Sequence, residues 1–367
     1  MSFFPHFFPL VSRFTINSKQ TRQYFIMAVF SKISHSELED FLKNYKLGNL
    51  LGFEGIKAGI ENTNYFIFMS SGKYVLTIFE KLSLNEAQFY LEFMLFLSSR
   101  KTLCPMPIIS SSGQVIRIFK GKPATLVTAL EGITIEKPTS ENCYQVGQAL
   151  AQIHLDATDF QNVKPNCRGF EWCKTTSSQI LQFMSEDQKK LLSSEIEKQT
   201  VFRESDIFKI LPTAMVHGDL FKDNVLFRKD FTQKDTTDKQ QSTKKYQLSG
   251  LIDFYFAGTD VLCYDLAVTL NDWAISTDDV IFGSFKKNYF DKMISGYESI
   301  RQLIPEEKKA LPMMLRGAAL RFWISRLCDW HQPREASLLS PKNPEQFEKI
   351  LKKRRGETNY GNEQNPA

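Results

Sequence analysis

An aspartate, an asparagine five residues later and a second aspartate in a later apolar segment are the side chains of this sequence best suited to chemistry. They are Asp219 and Asn224, in His217-Gly-Asp-Leu-Phe-Lys-Asp-Asn224, and Asp253, in Leu251-Ile-Asp-Phe254. A carboxylate such as Asp219 can accept the proton of an attacking hydroxyl. Asn224 and Asp253 offer hard oxygen ligands of the kind Mg²⁺ prefers beside phosphate, and such a cation neutralises charge on a transferring phosphoryl group. Together they form a phosphoryl-transfer layout. His217 is expected to position the others through a hydrogen bond near the metal site, not to act as acid or base. Lys222 either contacts phosphate or is solvated.

These residues need elements to hold them. Asn64–Met69 and Tyr74–Phe79 are aromatic and β-branched around Ser70-Ser-Gly-Lys73, which predicts a hairpin. Ser34-His-Ser-Glu37 and Ser83-Leu-Asn-Glu86 are capping boxes, predicting helices over Glu37–Tyr45 and from Ser83 to about Ser99. Val115–Phe119 and Ala124–Ala129 read as two more strands. The first part of the chain is therefore an antiparallel sheet with one long helix, an α+β arrangement. The remainder is mainly helical, with patterns over Glu141–Phe160, Glu171–Met184, Glu186–Lys198, Val261–Ala274, Phe285–Tyr297, Lys308–Asp329 and Pro344–Lys353. Two short strands, Asn224–Phe227 and Gln247–Asp253, interrupt it and flank the asparagine and the second aspartate. Residues 228–245 between them are polar, of both charge signs, and read as a solvated excursion.

The 367 residues suit two lobes. A 42% hydrophobic and 24% charged composition excludes a mainly disordered chain. Of the five excess positive charges, three (Arg13, Lys19 and Arg22) lie in residues 1–26, so no clustered basic surface points to nucleic acid. No apolar run approaches the roughly 18 to 20 residues that span a bilayer, so no membrane partner is expected. Six cysteines without a Cys-x-x-Cys pair predict buried thiols in a reducing cytosol, hence a cytoplasmic protein. Residues 1–26 hold no acidic residue; Met27 is favoured as the true start, ahead of a transit segment or a secretory signal.

The H-G-D-x-x-x-x-N motif with its later I-D-F resembles the aminoglycoside-phosphotransferase and choline-kinase branch of the protein-kinase-like fold. Protein kinases carry H-R-D and D-F-G. Gly218 in place of that Arg, and Tyr255 in place of that Gly, point to a small-molecule kinase. Further segments are similar to the homoserine kinases of this type: Gly59–Phe66, Tyr74–Glu80, Asn271-Asp-Trp273, Arg316–Arg326 with Asp329-Trp330, and Pro344–Leu351. The match spans about residues 27–353. No Walker A sequence is present, which rejects the P-loop fold; the Gly/Ser-rich phosphate loop of the other, unrelated class of homoserine kinase is likewise not found.

The resemblance implies a bilobal fold: a nucleotide lobe over 27–130, and a catalytic and substrate lobe over 131–367. It implies transfer of the γ-phosphoryl group of ATP to the hydroxyl of L-homoserine, with Asp219 as base and Asn224 and Asp253 holding Mg²⁺. Nucleotide contacts are expected from Glu61, Asn62, Thr63 and Asn64 in the loop, from backbone groups near Thr128 and Leu130, and from Lys222. Thr77 occupies the place of the usual phosphate-binding Lys, so that neutralising group is unassigned. Lys57 and Lys73 are candidates.

A homoserine carboxylate calls for Arg, with Arg316, Arg321 and Arg326 as candidates and Asp272 for the ammonium. Asp265 is read as structural. At about 100° per residue the three arginines cannot share one face: Arg316 and Arg326 stand about 80° apart, and Arg321 points elsewhere or is the only inward one. Two other functions compete. One is a kinase of another small hydroxyl compound: an aminoglycoside, choline or a methylthio-sugar. The Arg-rich helix instead favours a carboxylate-bearing acceptor. The other is a non-catalytic nucleotide sensor, which is expected to lack one of the three chemical residues.

Overall fold

The computed structural model describes residues 31–56, 61–229, 246–332 and 341–356. The readings of residues 1–26, Met27, Lys57 and most of the 228–245 excursion lie outside them.

Helix α1 (His35–Leu42) opens on the Ser34 capping box: Ser34 N–H donates to Glu37 Oε2 at 2.7 Å and Glu37 N–H to Ser34 Oγ at 3.3 Å. Strands β1 (Leu50–Gly55), β2 (Thr63–Met69) and β3 (Gly72–Ile78) follow, then α2 (Leu84–Ser99), β4 (Arg117–Phe119) and β5 (Lys122–Thr128). The strands form one antiparallel sheet in the order β1-β2-β3-β5-β4. The sequence reading missed β1. Its six residues include Gly52 and Gly55, and its burial does not alternate, so no period-two signal exists.

The alternation of β2 decides the lobe's architecture. Tyr65, Ile67 and Met69 are buried with Leu38 and Phe41 of α1 in a small core. Asn64, Phe66 and Phe68 occupy the opposite face, because successive strand residues alternate sides. Phe79, Val127 and the α2 residues Phe89, Tyr90 and Phe93 belong instead to the large core of the remaining chain. The helix that crosses from the sheet thus ties the two lobes through apolar burial.

The larger lobe runs α3 (Ser140–Ala157), α4 (Phe170–Ile180), α5 (Glu186–Glu204), α6 (Asp206–Lys209), β6 (Thr213–Val216), β7 (Val225–Lys229), β8 (Tyr246–Leu251), β9 (Gly258–Val261), α7 (Leu262–Trp273), α8 (Lys287–Glu298), α9 (Pro305–His331) and α10 (Glu345–Gly356). β6 pairs antiparallel with β9, and β7 with β8. β6 and β9, four residues each, were not read from the sequence; both are too short to show a period. α3 and α8 meet backbone to backbone. A Cβ at Gly296 would stand 2.1 Å from the Tyr144 carbonyl oxygen, so glycine is needed there. α9 is the lobe's axis, burying Met314, Leu315, Ala318, Ala319 and Trp323. Among the described residues no helix is long and apolar enough to cross a membrane. Four of the six free thiols are buried; Cys167 is exposed and Cys328 is intermediate, so the expectation of uniformly buried cysteines fails at those two.

Candidate active site

The His217–Asn224 segment leaves β6 and enters β7, so two short strands grip both ends of the loop that bears Asp219. Its backbone is anchored from below by α7. The buried Asp265 carboxylate accepts the His217 N–H (2.8 Å), the Gly218 N–H (2.8 Å) and, at 3.1 Å, His154 Nε2. These donors hold the Asp265 carboxyl below its ordinary range against the opposing effect of burial. The structural reading of Asp265 matches this placement. Gly218 has φ +75, and a Cβ there would lie 3.1 Å from the Phe256 carbonyl oxygen. The position therefore suits glycine twice over.

His217 ties the loop to the second motif. Its Nε2 faces the Ile252 carbonyl at 3.0 Å, while its Nδ1 accepts the Asp219 N–H at 3.3 Å. That pattern assigns the proton to Nε2. Burial lowers the His217 pKa, favouring the neutral ring. The positioning role read from the sequence is the one this geometry supports.

Asn224 Nδ2 donates to the Asp219 backbone oxygen at 2.8 Å, with Asp219 Oδ2 at 3.5 Å. Asp253 has φ +65, a left-handed conformation uncommon outside glycine. Burial pushes the Asp219 carboxyl up to about 6, with Arg321 opposing and Asp223 adding to the rise. Asp253 is pushed up to about 7 by burial and by the charges of Asp219, Glu61 and Asp223. Recessed carboxylates repelling one another fit a divalent cation, with the Asn224 amide oxygen and the Asp253 carboxylate as donors. Among the described residues no cluster of three or more His, Cys, Asp or Glu is arranged to hold a metal. A cation held by one carboxylate, one amide and substrate phosphates needs no such cluster.

On the sheet side, Asn64 and Thr77 are register partners, and Thr77 Oγ1 donates to Asn64 Oδ1 at 2.8 Å. Tyr255 is also hydrogen-bonded to the Thr77 side chain. The place of a phosphate-binding Lys is thus filled by a neutral Asn64–Thr77–Tyr255 chain. Lys73 lies over the Phe66 ring at 3.6 Å. Glu61 is close enough to raise the pKa of Asp253, and Asn62 stands beside it in the same loop. Thr63 is buried and donates to Glu80 Oε1 at 2.5 Å, so its hydroxyl serves the sheet. Thr128 N–H donates to the Met106 carbonyl at 2.9 Å, which removes it as an adenine donor. No backbone hydrogen bond joins Leu130 to another described residue.

The substrate candidates separate. Arg316 faces away from the site and pairs with the buried Glu195 (Nη2–Oε2 2.5 Å). Arg321 points inward, with Nη1 3.5 Å from Asp219 Oδ1. Arg326 donates to Gln346 Oε1 at 2.7 Å and lies over Phe347 of α10 at 4.5 Å. Burial lowers its pKa to about 10, with Asp272, Asp223 and Asp219 opposing. The arginines that feel the site's carboxylates are therefore Arg321 and Arg326, while Glu195 claims Arg316; of the two orientations open from helical spacing, the one that turns Arg321 away is excluded, and Arg321 is not the sole inward arginine. Asp272 Oδ2 accepts the Lys222 N–H at 2.9 Å, and its Oδ1 lies 3.7 Å from Lys222 Nζ. Each therefore engages the other: Asp272 braces the loop, and Lys222 is turned toward α7.

Two neighbours were not read from the sequence. Lys342 Nζ binds Asp223 Oδ2 at 2.9 Å, from the segment before α10. Arg168 lies over Phe256, the residue beneath Gly218, at 5.9 Å. Trp172, one turn after Arg168, was the available signal for a stacked guanidinium.

A model of the phosphotransferase enzyme family matches residues 52–303. The chain belongs to this family. The phosphotransferase is 40% identical over 328 residues to a homoserine kinase of Burkholderia vietnamiensis, covering 89% of this chain and 96% of that one. It is 38% identical over 328 residues to a homoserine kinase of Polaromonas naphthalenivorans, with 89% and 98% covered. Among solved structures, the phosphotransferase superposes on an amicoumacin kinase in complex with AMP-PNP, Ca²⁺ and Ami (TM-score 0.63, 14% identity, 88% and 92% covered). It also superposes on a spectinomycin phosphotransferase bound to ADP and spectinomycin (TM-score 0.57, 14% identity, 88% and 95% covered). The fold of this phosphotransferase is the bilobal, protein-kinase-like one.

Proposed function

We propose that this phosphotransferase is a homoserine kinase, transferring the γ-phosphoryl group of ATP to the hydroxyl of L-homoserine. The product is O-phospho-L-homoserine, a precursor of threonine. The observation that carries this reading is the identity of 40% across 89% of the chain and 96% of a curated homoserine kinase. The match runs through the catalytic loop and also the C-terminal helices that flank it.

Asp219 accepts the acceptor hydroxyl's proton in this reading, and Asn224 fixes it through the Asp219 backbone oxygen. Arg321 beside it keeps the carboxylate oriented and balances the negative charge that gathers during transfer. Asn224 and Asp253 hold the divalent cation, taken as Mg²⁺, which supplies charge neutralisation on the phosphate oxygens. The 61–64 loop covers the phosphates through its backbone, and the adenine meets the chain near Leu130. An ATP-consuming biosynthetic enzyme of this kind is proposed to work in the cytoplasm.

Kinases of aminoglycosides and choline share the fold, so the substrate decides between readings. The test is an ATP- and Mg²⁺-dependent assay against homoserine, choline, an aminoglycoside and a methylthio-sugar, with the product identified by ³¹P NMR. Turnover of homoserine to its O-phosphate is expected. Turnover of another member with none of homoserine overturns the reading.

A further inference from the structure

Between the start of α4 and the last turns of α9 lies a cavity of about 390 Å³, within the range of roughly 300 to 1,000 Å³ typical of small-ligand sites. Arg168, Trp172 and Thr175 line one wall; Ser325, Asp329 and Gln332 line the other. The cavity holds one cationic and one anionic side chain among polar neighbours. Arg168 lies over the Trp172 ring at 4.5 Å and near the Phe256 ring at 5.9 Å. Aromatic contact restrains the guanidinium without using its N–H donors. Among the described residues, no hydrogen bond or ion pair joins this guanidinium to another side chain.

Two elements link the cavity to the catalytic centre. Phe256 lies beneath Arg168 and also 5.6 Å from the Arg321 guanidinium, which contacts Asp219. On α9, Arg321, Ser325 and Asp329 recur every four residues and share one helix face, with the C-cap residue Gln332 following. That face runs from the base into the cavity.

Building on the homoserine reading, we propose that this cavity reads the amino-acid end of the acceptor. Arg168 takes the α-carboxylate through its planar pair of N–H donors, and Asp329 takes the α-ammonium. The hydroxyl end then points along α9 toward Asp219. A carboxylate offers about four acceptor positions, so Asp329 can receive the ammonium in addition to its contact within the protein. The ligand class is a short α-amino acid bearing a terminal hydroxyl. This assignment gives Arg321 and Arg326 to the reacting end and replaces Asp272, which braces Lys222, as the ammonium partner.

The test compares kcat/KM for L-homoserine, 3-aminopropan-1-ol, which lacks the carboxylate, and 4-hydroxybutyrate, which lacks the ammonium. The wild-type enzyme should prefer homoserine over each by about 100-fold or more. Arg168→Ala should raise the homoserine KM about 30-fold or more, keep the ATP KM within about threefold, and lose the preference over 3-aminopropan-1-ol alone. Asp329→Asn should lose the preference over 4-hydroxybutyrate alone. Arg168→Lys, which keeps charge but not the fork, should fall between; with Asp329→Asn it carries the comparison if Arg168→Ala does not fold. Homoserine turnover with unchanged preferences in these variants overturns the subsite while the kinase reading stands. Absence of homoserine turnover by the wild-type enzyme overturns both.

Discussion

Asp265 grips the backbone of His217 from inside α7: its Oδ2 accepts the His217 N–H at 2.8 Å, while its Oδ1 accepts the N–H of Gly218. The carboxylate is fully buried, so its stability depends on these donors and on His154. The base of the proposed reaction therefore owes its place to a residue that touches no substrate.

Replacing Asp265 by Ala should destabilise the fold by about 3 kcal/mol, the usual cost of stranding the partners of a buried charge. Urea unfolding measures this. A change under about 0.5 kcal/mol, typical of an unimportant surface site, would show that the anchor is dispensable.

The same anchor gives a pH dependence. The folded His217 pKa is lowered by burial from 6.5. Below that value the unfolded chain gains a proton that the folded chain refuses, so stability should fall as pH drops through and below 6.5. The depressed Asp265 carboxyl adds a second loss below its ordinary 3.8. Asp219 and Asp253, whose carboxyls are raised to about 6 and about 7, act in the opposite direction over this range, so the His217 contribution is read as a difference between proteins. Between about pH 7.5 and 5 the Tm of the wild type should fall relative to that of a His217→Gln variant; parallel curves would exclude His217 as a source of pH dependence.

Asp219→Asn should lower kcat by roughly a thousandfold while ATP binding stays within a few-fold. The amide keeps the size of the carboxylate and loses its basicity. Single-turnover kinetics with homoserine read the first effect, and nucleotide titration reads the second. Near-parental kcat removes Asp219 from the role of base.

Arg316 and Arg321, five positions apart on α9, should respond in opposite ways. Arg316→Ala removes the nearest cation of the fully buried Glu195, leaving it Arg355 at 3.7 Å and the Gln199 amide at 3.1 Å, and should cost about 3 kcal/mol of stability with the homoserine KM unchanged. Arg321→Ala should lower kcat/KM by about 30-fold or more, through Asp219 and the reacting phosphoryl group. Paired measurements of Tm and kinetics separate the two. A KM effect from Arg316→Ala would contradict the assignment of that side chain to Glu195.

Local rules account for much of the fold. The Ser34 and Ser83 capping boxes open α1 and α2, and the alternation in β2 separates its core face from its opposite face. These signals act over a few residues, and so they are legible without a partner. The strands β1, β6 and β9 were illegible for the matching reason. They are short or glycine-interrupted, and only their partners make them strands.

The chemical identity of the site likewise belongs to the sequence. Asp219, Asn224 and Asp253 stand in one spaced pattern, and Gly218 and Tyr255 mark the departure from protein kinases. Their types and order suit proton acceptance and cation binding, the roles proposed for them. Which arginine meets the site was decided only in three dimensions. Helical spacing states the angles between Arg316, Arg321 and Arg326, but not which way the helix is turned. Packing of α9 on its neighbours turns it so that Glu195 meets Arg316 and Asp219 meets Arg321. Asp272 and Thr128 were drawn off in the same manner, by the Lys222 amide and the Met106 carbonyl. A side chain's chemistry is local, whereas its partner depends on segments that only the folded chain brings together.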